Sequence, residues 1–474
     1  MSGIHEECGI FGIWSGERAA LAETVYYGLY ALQHRGQEGC GIAVCDDGVI
    51  TAHRDVGLVG EVFDHLTLTG MPQGNMAVGH VRYSTTGGNE RRNCQPIVVN
   101  HQKGRMALAH NGNLSNADAL RSELELSGAI FHTTSDTETI AYIITKNRLR
   151  TASIEQAVLQ TMDAIEGAYS LIVMSPTKLI AVRDPFGFRP LCYGELPDGA
   201  YAVASESCAL TTIGARFVRD LDPGEMLIFS SEGVSSDRSH CEREPRRTCI
   251  FEYIYFARPD SVIDGVSVHE ARLQAGRILA RECPADADIV VGVPDSGLDA
   301  ALGFAHESGL PYGIGLIKNK YVARTFISPT QASRTDKVRI KLAAVETTVK
   351  DKRVVLVDDS IVRGTTGRRL AALLREAGAR EIHFRVSAPP FLHPCYYGTD
   401  IDSEEDLIAS RRTLDEIAQQ MGVDSIGFLP VGSLDELNCH LGCCKACFTG
   451  DYPTSVPTAS RKDKYDRPLS DKTE

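Results

Sequence analysis

The stretch that most constrains this chain is VVLVDDSIVRGTTG, at residues 354–367. Branched apolar residues and a leucine at 354–357 make a short buried strand, which runs without a spacer into two adjacent carboxylates, Asp358 and Asp359. Arg363, Gly364, Thr365, Thr366 and Gly367 follow, and 368–377 has helical composition, so the Gly/Thr segment is expected as a loop that opens a helix. Free backbone N–H groups and hydroxyls at such a start can cradle a phosphate. Neighbouring acids can accept hydrogen bonds from sugar hydroxyls. In that order, strand, acid pair and Gly/Thr loop point to a ribose phosphate rather than to a strand end with two solvated acids.

At 474 residues the chain is long enough for two or three domains, and 43% apolar content can fill their cores. Its 49 Lys and Arg against 62 Asp and Glu leave a net charge of -13, which argues against a general nucleic-acid or membrane-surface binder. An anionic ligand must then be held by local basic groups. Residues 318–341 supply them, with Lys318, Lys320, Arg324, Arg334, Lys337, Arg339 and Lys341 against the single acid Asp336. This is the natural anion site, and 325–335 has the Ser/Thr-rich, aperiodic composition of a lid. No apolar run reaches the ~18 residues of a membrane span, so a cytosolic protein is expected. Its 14 cysteines are then mostly free thiols, with metal or nucleophilic roles for a few.

The first residues, MSGIHEE, are polar and unlike the CGIFGIW that follows, so a boundary falls between Glu7 and Cys8. Downstream come LQHRGQE at 32–38, GHVRYST at 79–85, AHNGNL at 109–114 and TSDTE at 134–138. Arg82 suits a carboxylate ligand. Asn111 and Gly112 can aim a side-chain amide and a main-chain N–H at one oxygen, although Asn-Gly alone also reads as a tight turn. Asp136 suits an amino group and equally a helix N-cap before 137–146. From 151 to 229 a helix is expected at 154–165 and strands at 168–174, 179–183 and 200–204, with a turn cluster, DPFGFRP, at 184–190. The last strand begins at 222–225, and polar, aperiodic 230–247 reads as a linker. Beyond it, strands at 289–293, 312–317, 354–357 and 381–387 alternate with helices at 297–308 and 368–377. That order predicts a parallel sheet with ligands at its carboxyl ends. Cys439, Cys443, Cys444 and Cys447 crowd together near the C-terminus, while Cys249 and Cys395 stand alone. The C-x2-C of Cys444 and Cys447, taken alone, reads as a zinc site.

Residues 354–367 closely resemble the phosphoribosylpyrophosphate (PRPP) motif of type I phosphoribosyltransferases. That resemblance assigns Asp358 and Asp359 to the ribose hydroxyls and the loop of Arg363, Gly364, Thr365 and Thr366 to the 5-phosphate. Lys318, Arg324 and Lys341 fall in the family's PRPP-closing loop, which departs here in Lys320 for the usual arginine and Ala323 for the usual glycine. From Cys8 to about residue 229 the chain resembles class II glutamine amidotransferases, an α+β N-terminal-nucleophile fold of stacked antiparallel sheets between helices. The resemblance makes Cys8 the nucleophile and its freed α-amino group the base, with 1–7 a propeptide. Arg82 takes the glutamine carboxylate, Asn111 and Gly112 form the oxyanion hole, and Asp136 takes the α-amino group.

Together these parts resemble the amidophosphoribosyltransferases, in the branch that bears an iron–sulfur cluster and a propeptide. The organisation implied is a propeptide at 1–7, an amidotransferase domain at 8–235, an α/β type I phosphoribosyltransferase domain with a parallel sheet at 248–454 and a disordered tail at 455–474. The cofactors implied are one Mg2+ at Ser296, Asp358 and Asp359 and one [4Fe-4S] cluster on Cys249, Cys395, Cys444 and Cys447, with Cys439 and Cys443 as competing thiols. The reaction implied is transfer of the glutamine amide nitrogen to PRPP, giving 5-phosphoribosylamine, glutamate and pyrophosphate. This is the first step of purine synthesis, with ammonia passed between two active sites. A cytoplasmic homotetramer with purine-nucleotide feedback inhibitors belongs to the same expectation. The alternative is a PRPP- or redox-sensing regulator with an inactive amidotransferase domain, which would bind PRPP without turnover.

Overall fold

A computed structural model describes residues 7–83, 90–319, 342–399, 401, 403–437 and 440–457. Arg324 and Lys341, the expected lid, Cys439, most of the expected propeptide and most of the expected tail lie outside the described residues.

The N-terminal half is built on the two-residue period of its strands. In Gly9–Ala19, Ile10 enters a core between two sheets, while Phe11 and Ile13 face the opposite way, beneath helix Leu21–Ala31. In Gly104–Leu114, Ala107 and Ala109 enter the same inter-sheet core, while Met106 and Leu108 turn toward helices Asp136–Arg148 and Ile154–Met162. The result is four layers, helix, sheet, sheet, helix, as expected for an N-terminal-nucleophile fold. The first sheet has seven strands in the order Arg216–Asp220, Cys192–Glu195, Tyr201–Ala204, Gly9–Ala19, Gly74–Arg82, Gly39–Asp46 and Val49–Val56. The second has six, in the order Gly233–Asp237, Met226–Ser230, Leu179–Arg183, Gly167–Met174, Gly104–Leu114 and Ile97–His101. Every pairing within both sheets is antiparallel. Gly233–Asp237 begins inside the expected linker. As an edge strand it buries little, so its polar composition conceals it.

The C-terminal half carries a parallel sheet in the order Ile289–Gly292, Arg353–Asp358, Glu381–Val386 and Ser425–Phe428. Val354, Val355, Leu356 and Val357 are fully buried, as a strand covered on both faces must be. Helices Val268–Glu282 and Gly297–Ser308 cross at backbone contact. A Cβ on Gly276 would lie 1.9 Å from the Ala300 oxygen, and one on Gly303 would lie 2.0 Å from the Leu273 oxygen. The expected strand at 312–317 is replaced. Tyr312 makes one parallel bridge to Val290, and Leu316–Lys318 pairs antiparallel with Leu342–Ala344. Ile314 and Ile317 are exposed there, so apolar composition did not report burial. The helix after the acid pair runs Thr365–Glu376, so Thr365, Thr366 and Gly367 form its first turn rather than a preceding loop.

Buried charges and rings join the halves. Arg35 pairs with both Glu206 and Glu252, at 2.7 Å each. Arg183 and Arg246 converge on Asp264 at 2.6 and 2.8 Å. The DPFGFRP cluster is a turn held by Asp184, which accepts the Phe188 N–H at 3.1 Å. It also reaches across. Phe188 stacks on Tyr397 with centroids 4.3 Å apart, and Arg189 donates to the Tyr397 carbonyl at 2.6 Å.

Candidate active sites

The carboxyl end of strand Arg353–Asp358 opens into a cavity of about 640 Å3. Asp358, Asp359, Gly364, Thr366 and Gly367 line it, the last three because the helix turns directly off the strand through Gly364 at φ 72°. Ser296, at the N-terminus of helix Gly297–Ser308, donates its hydroxyl to Asp359, as does Ser360. The Asp359 N–H donates back to Asp358 Oδ1 at 3.0 Å. Burial, and then the Asp359 charge, push the Asp358 carboxyl well above the usual range. Burial raises Asp359 as well, against the two serine hydroxyls. Two adjacent acids crowded out of water in this way suit a cation and hydroxyl donors. Lys318 lies on the same cavity, paired with Asp295. Exposed Arg363 and half-buried Thr365 are outside its lining.

The opposite wall was not foreseen. Gln33, His34 and Arg35, from the N-terminal half, line the same cavity together with Tyr255 and Arg272. The only sequence signal was the density of polar residues in LQHRGQE, which carries no address without the fold.

The second site lies where the two antiparallel sheets meet. Gly9 sits opposite Val81 in register, which brings Cys8 and Arg82 together at adjacent strand ends. Cys8 is buried, its thiol 3.5 Å from the Tyr83 carbonyl, and its own carbonyl accepts Arg35 Nε at 2.9 Å. Burial pushes the thiol up to about 11, with Arg82 opposing and Asp136 reinforcing. Asn111 and Gly112 stand in mid-strand, opposite Ser170 and Tyr169, so the tight-turn reading is replaced. Gly112 is obligatory: its φ is 136°, and a Cβ would meet the Ala168 oxygen at 2.1 Å. Asn111 is fully buried, and neither its amide oxygen nor its nitrogen has a hydrogen-bond partner among the described residues. A buried orphan amide is costly unless a ligand completes it.

Asp136 opens helix Asp136–Arg148, but the cap is Ser135, whose hydroxyl accepts the Thr137 N–H. Asp136 therefore keeps its carboxylate for the site, where Oδ2 accepts the Leu114 N–H at 3.0 Å. Burial would raise it, and the neighbouring His110, 3.5 Å away, outweighs burial and holds it low. His110 and Gln95 form a supporting network that the sequence did not announce: Gln95 accepts the His110 N–H at 2.7 Å and donates to Thr137 at 3.0 Å.

A third constellation assembles the scattered cysteines. Cys249, Cys395, Cys444 and Cys447 line one small cavity with Phe251 and Phe391, and Cys249 lies opposite Cys444 in a short parallel pairing. Burial pushes the thiols of Cys249, Cys444 and Cys447 up, Cys444 to about 12. Cys443 is directed elsewhere, its thiol 3.3 Å from Asp435 Oδ1. Among the described residues no three His, Cys, Asp or Glu side chains are placed to hold a single metal ion.

The family model of a glutamine amidotransferase domain matches residues 80–212, and that of a phosphoribosyl transferase domain matches 266–425. Fold and sites thus define a glutamine amidotransferase joined to a phosphoribosyltransferase. The chain is 49% identical over 465 residues to the amidophosphoribosyltransferase of Bacillus subtilis, covering 96% of each chain. It is 50% identical to that of Methanocaldococcus jannaschii, covering 95% of this chain and 98% of the relative. The solved structure of the B. subtilis glutamine PRPP amidotransferase complexed with ADP and GMP superposes with a TM-score of 0.87 at 48% identity, covering 95% of this chain and 98% of that one. The chain belongs to the amidophosphoribosyltransferase family.

Proposed function

We infer that Cys8 and Asp358 are the centres of two half-reactions of one enzyme, which transfers the amide nitrogen of glutamine to PRPP. The products are 5-phosphoribosylamine, glutamate and pyrophosphate, in the first step of purine biosynthesis. The observation that carries this reading is the cavity of about 640 Å3, lined by Asp358, Asp359 and Thr366 from the C-terminal half and by Gln33, His34 and Arg35 from the N-terminal half. Ammonia released in water would be protonated and lose its nucleophilicity, so the chemistry requires a dry route from Cys8 to this cavity, whose lining reaches the adjoining Glu7.

In the glutamine half, Arg82 takes the substrate carboxylate and Asp136 its α-amino group. The Cys8 thiol attacks the amide carbon, and the oxygen that becomes negative is received by the Asn111 amide and the Gly112 N–H. The base is the α-amino group of Cys8 itself, with a reference pKa of about 7.7–8.0 that suits proton transfer at neutral pH. This requires removal of 1–7 as a propeptide. In the PRPP half, Asp358 and Asp359 bind the ribose hydroxyls, the Gly364–Thr366 turn with Arg363 holds the 5-phosphate, and Lys318, Arg324 and Lys341 draw off the pyrophosphate.

Ser296, Asp358 and Asp359 are acidic and hydroxylic donors fit for Mg2+, which when bound neutralises the departing pyrophosphate. Four thiols around one cavity, of which Cys444 is buried and the others half-buried, fit a [4Fe-4S] cluster, which would staple 444–447 to Cys249 and Cys395. ADP and GMP in the B. subtilis structure support purine nucleotides as feedback regulators. A homotetramer in a reducing cytoplasm completes the proposal. No described helix is long and apolar enough to cross a membrane.

The test is PRPP-dependent glutamate release by anaerobically purified protein, with intact mass and iron content measured alongside. Glutamate and pyrophosphate formed in step, on a chain beginning at Cys8, are expected. In a chain begun at residue 8, Cys8→Ala abolishes glutamine use and keeps ammonia-dependent transfer; PRPP binding without turnover in the trimmed wild-type chain would return the regulator reading.

A further inference from the structure

The residue before the nucleophile is not where a disposable leader should end. Glu7 is almost fully buried, and its carboxylate pairs with Arg189 at 2.7 Å and accepts the Thr399 hydroxyl at 3.3 Å. Gly398 offers its bare backbone to the same carboxylate: a Cβ there would come within 3.0 Å of Glu7 Oε2. Arg189, Thr399 and Gly398 thus form a fitted seat. Its two walls come from different halves of the chain. Glu7 also lines the large cavity that holds Asp358 and Asp359.

The peptide between Glu7 and Cys8 is strung along an ionic bridge. Arg189 holds Glu7, Arg35 holds the Cys8 carbonyl at 2.9 Å, and Glu252 bonds both guanidinium groups, at 3.2 and 2.7 Å. Within this group Arg35 and Arg189 face three carboxylates, Glu7, Glu206 and Glu252, with His34 also on Glu206 at 2.7 Å. Burial raises the Glu7 carboxyl to about 7 despite Arg189. The seat keeps unspent polar capacity, because Arg189 Nε is buried with no partner among the described residues. The same cavity is lined by Tyr255, Phe256 and the acid pair.

We propose that in the uncut chain Glu7 plugs the passage between the Cys8 pocket and the PRPP cavity, and that its excision opens this passage to a small neutral molecule, water or ammonia. Processing then does two things at once, freeing the α-amine and clearing the route. The proposal rests on the reading that 1–7 are removed and that ammonia crosses between the sites.

Three chains, all carrying Cys8→Ala so that none uses glutamine, separate the possibilities, their N-termini checked by intact mass: the full chain, the chain begun at residue 8, and the full chain with Glu7→Gly. Pyrophosphate release from PRPP is followed against ammonium chloride concentration. The full chain is expected to show kcat/KM for ammonia about tenfold or more below the trimmed chain, with Glu7→Gly recovering most of the difference. Equal values for full and trimmed chains overturn the plug and leave the functional reading intact. A Glu7→Gly chain as slow as its parent also overturns it, because the obstruction is then the leader backbone and not this side chain. No transfer by the trimmed chain overturns the functional reading and the plug with it.

Discussion

The buried Asn111 amide has no hydrogen-bond partner among the described residues, an arrangement with a stability cost and, on the proposed reading, a catalytic use. Asn111→Ala is expected to lower glutamine-dependent turnover by about a hundredfold or more while changing the KM for glutamine little, because the amide works on charge that appears during attack. Steady-state kinetics with glutamine and with ammonia as donors check this; an equal loss with both donors would place Asn111 outside the glutamine half. Asp358→Asn should do the reverse, removing most PRPP-dependent transfer and sparing basal glutamine hydrolysis, measured as glutamate release without PRPP. The identities of these residues could be read from their neighbours in the chain. Their backbone setting could not: Asn-Gly is a turn in most contexts, and only its mid-strand position opposite Ser170 and Tyr169 excludes one.

Among the elements, the crossing of Val268–Glu282 over Gly297–Ser308 is the tightest constraint on the PRPP half. Ser296, at the start of the second of these helices, touches Asp359. Gly303→Ala would drive a Cβ toward the Leu273 oxygen, 2.0 Å away, and force the helices apart. A loss of about 1–3 kcal/mol in stability is expected, with a rise in KM for PRPP as Ser296 shifts. Thermal unfolding and PRPP titration measure the two effects. The helix after the acid pair shows why boundaries escape sequence reasoning. Thr-Thr-Gly is poor helical material, yet Gly367 packs in the first turn against Phe384 and Met421, and tertiary contact overrides propensity. The antiparallel arm Leu316–Lys318 with Leu342–Ala344 was invisible for the opposite reason: its isoleucine is exposed, so apolar content imitated a core strand.

For the whole molecule, the junction of the two halves is ionic and deeply buried. Burial would raise the Asp264 carboxyl, but Arg183 and Arg246 outweigh it and bring it down to about 2. A carboxyl depressed on folding contributes stability above its unfolded value near 4, and loses it as pH falls toward 2. Asp264→Asn leaves two guanidinium groups against a neutral amide and is expected to cost roughly 3–5 kcal/mol at neutral pH. The difference from wild type should narrow as unfolding is followed at pH values below 4. If the proposed cluster is bound, Cys447→Ser should lower both iron content and thermal stability, since the Cys395 segment on the same cavity also carries Tyr397 and Thr399 to the junction. What this chain determined through sequence alone was local: a buried strand ending in acids, an Arg at a strand end, an Asn-Gly, a C-x2-C, and the alternation that demands a parallel sheet. Each depends on residues within a few positions, where side-chain period and backbone chemistry act. The tertiary structure decided everything that needs distant partners. It set the four cysteines around one cavity, Arg35 between Cys8 and Glu252, and Glu7 on Arg189. Buried charges choose partners by proximity in three dimensions, and no pattern along the chain encodes that choice until folding has removed the water between them.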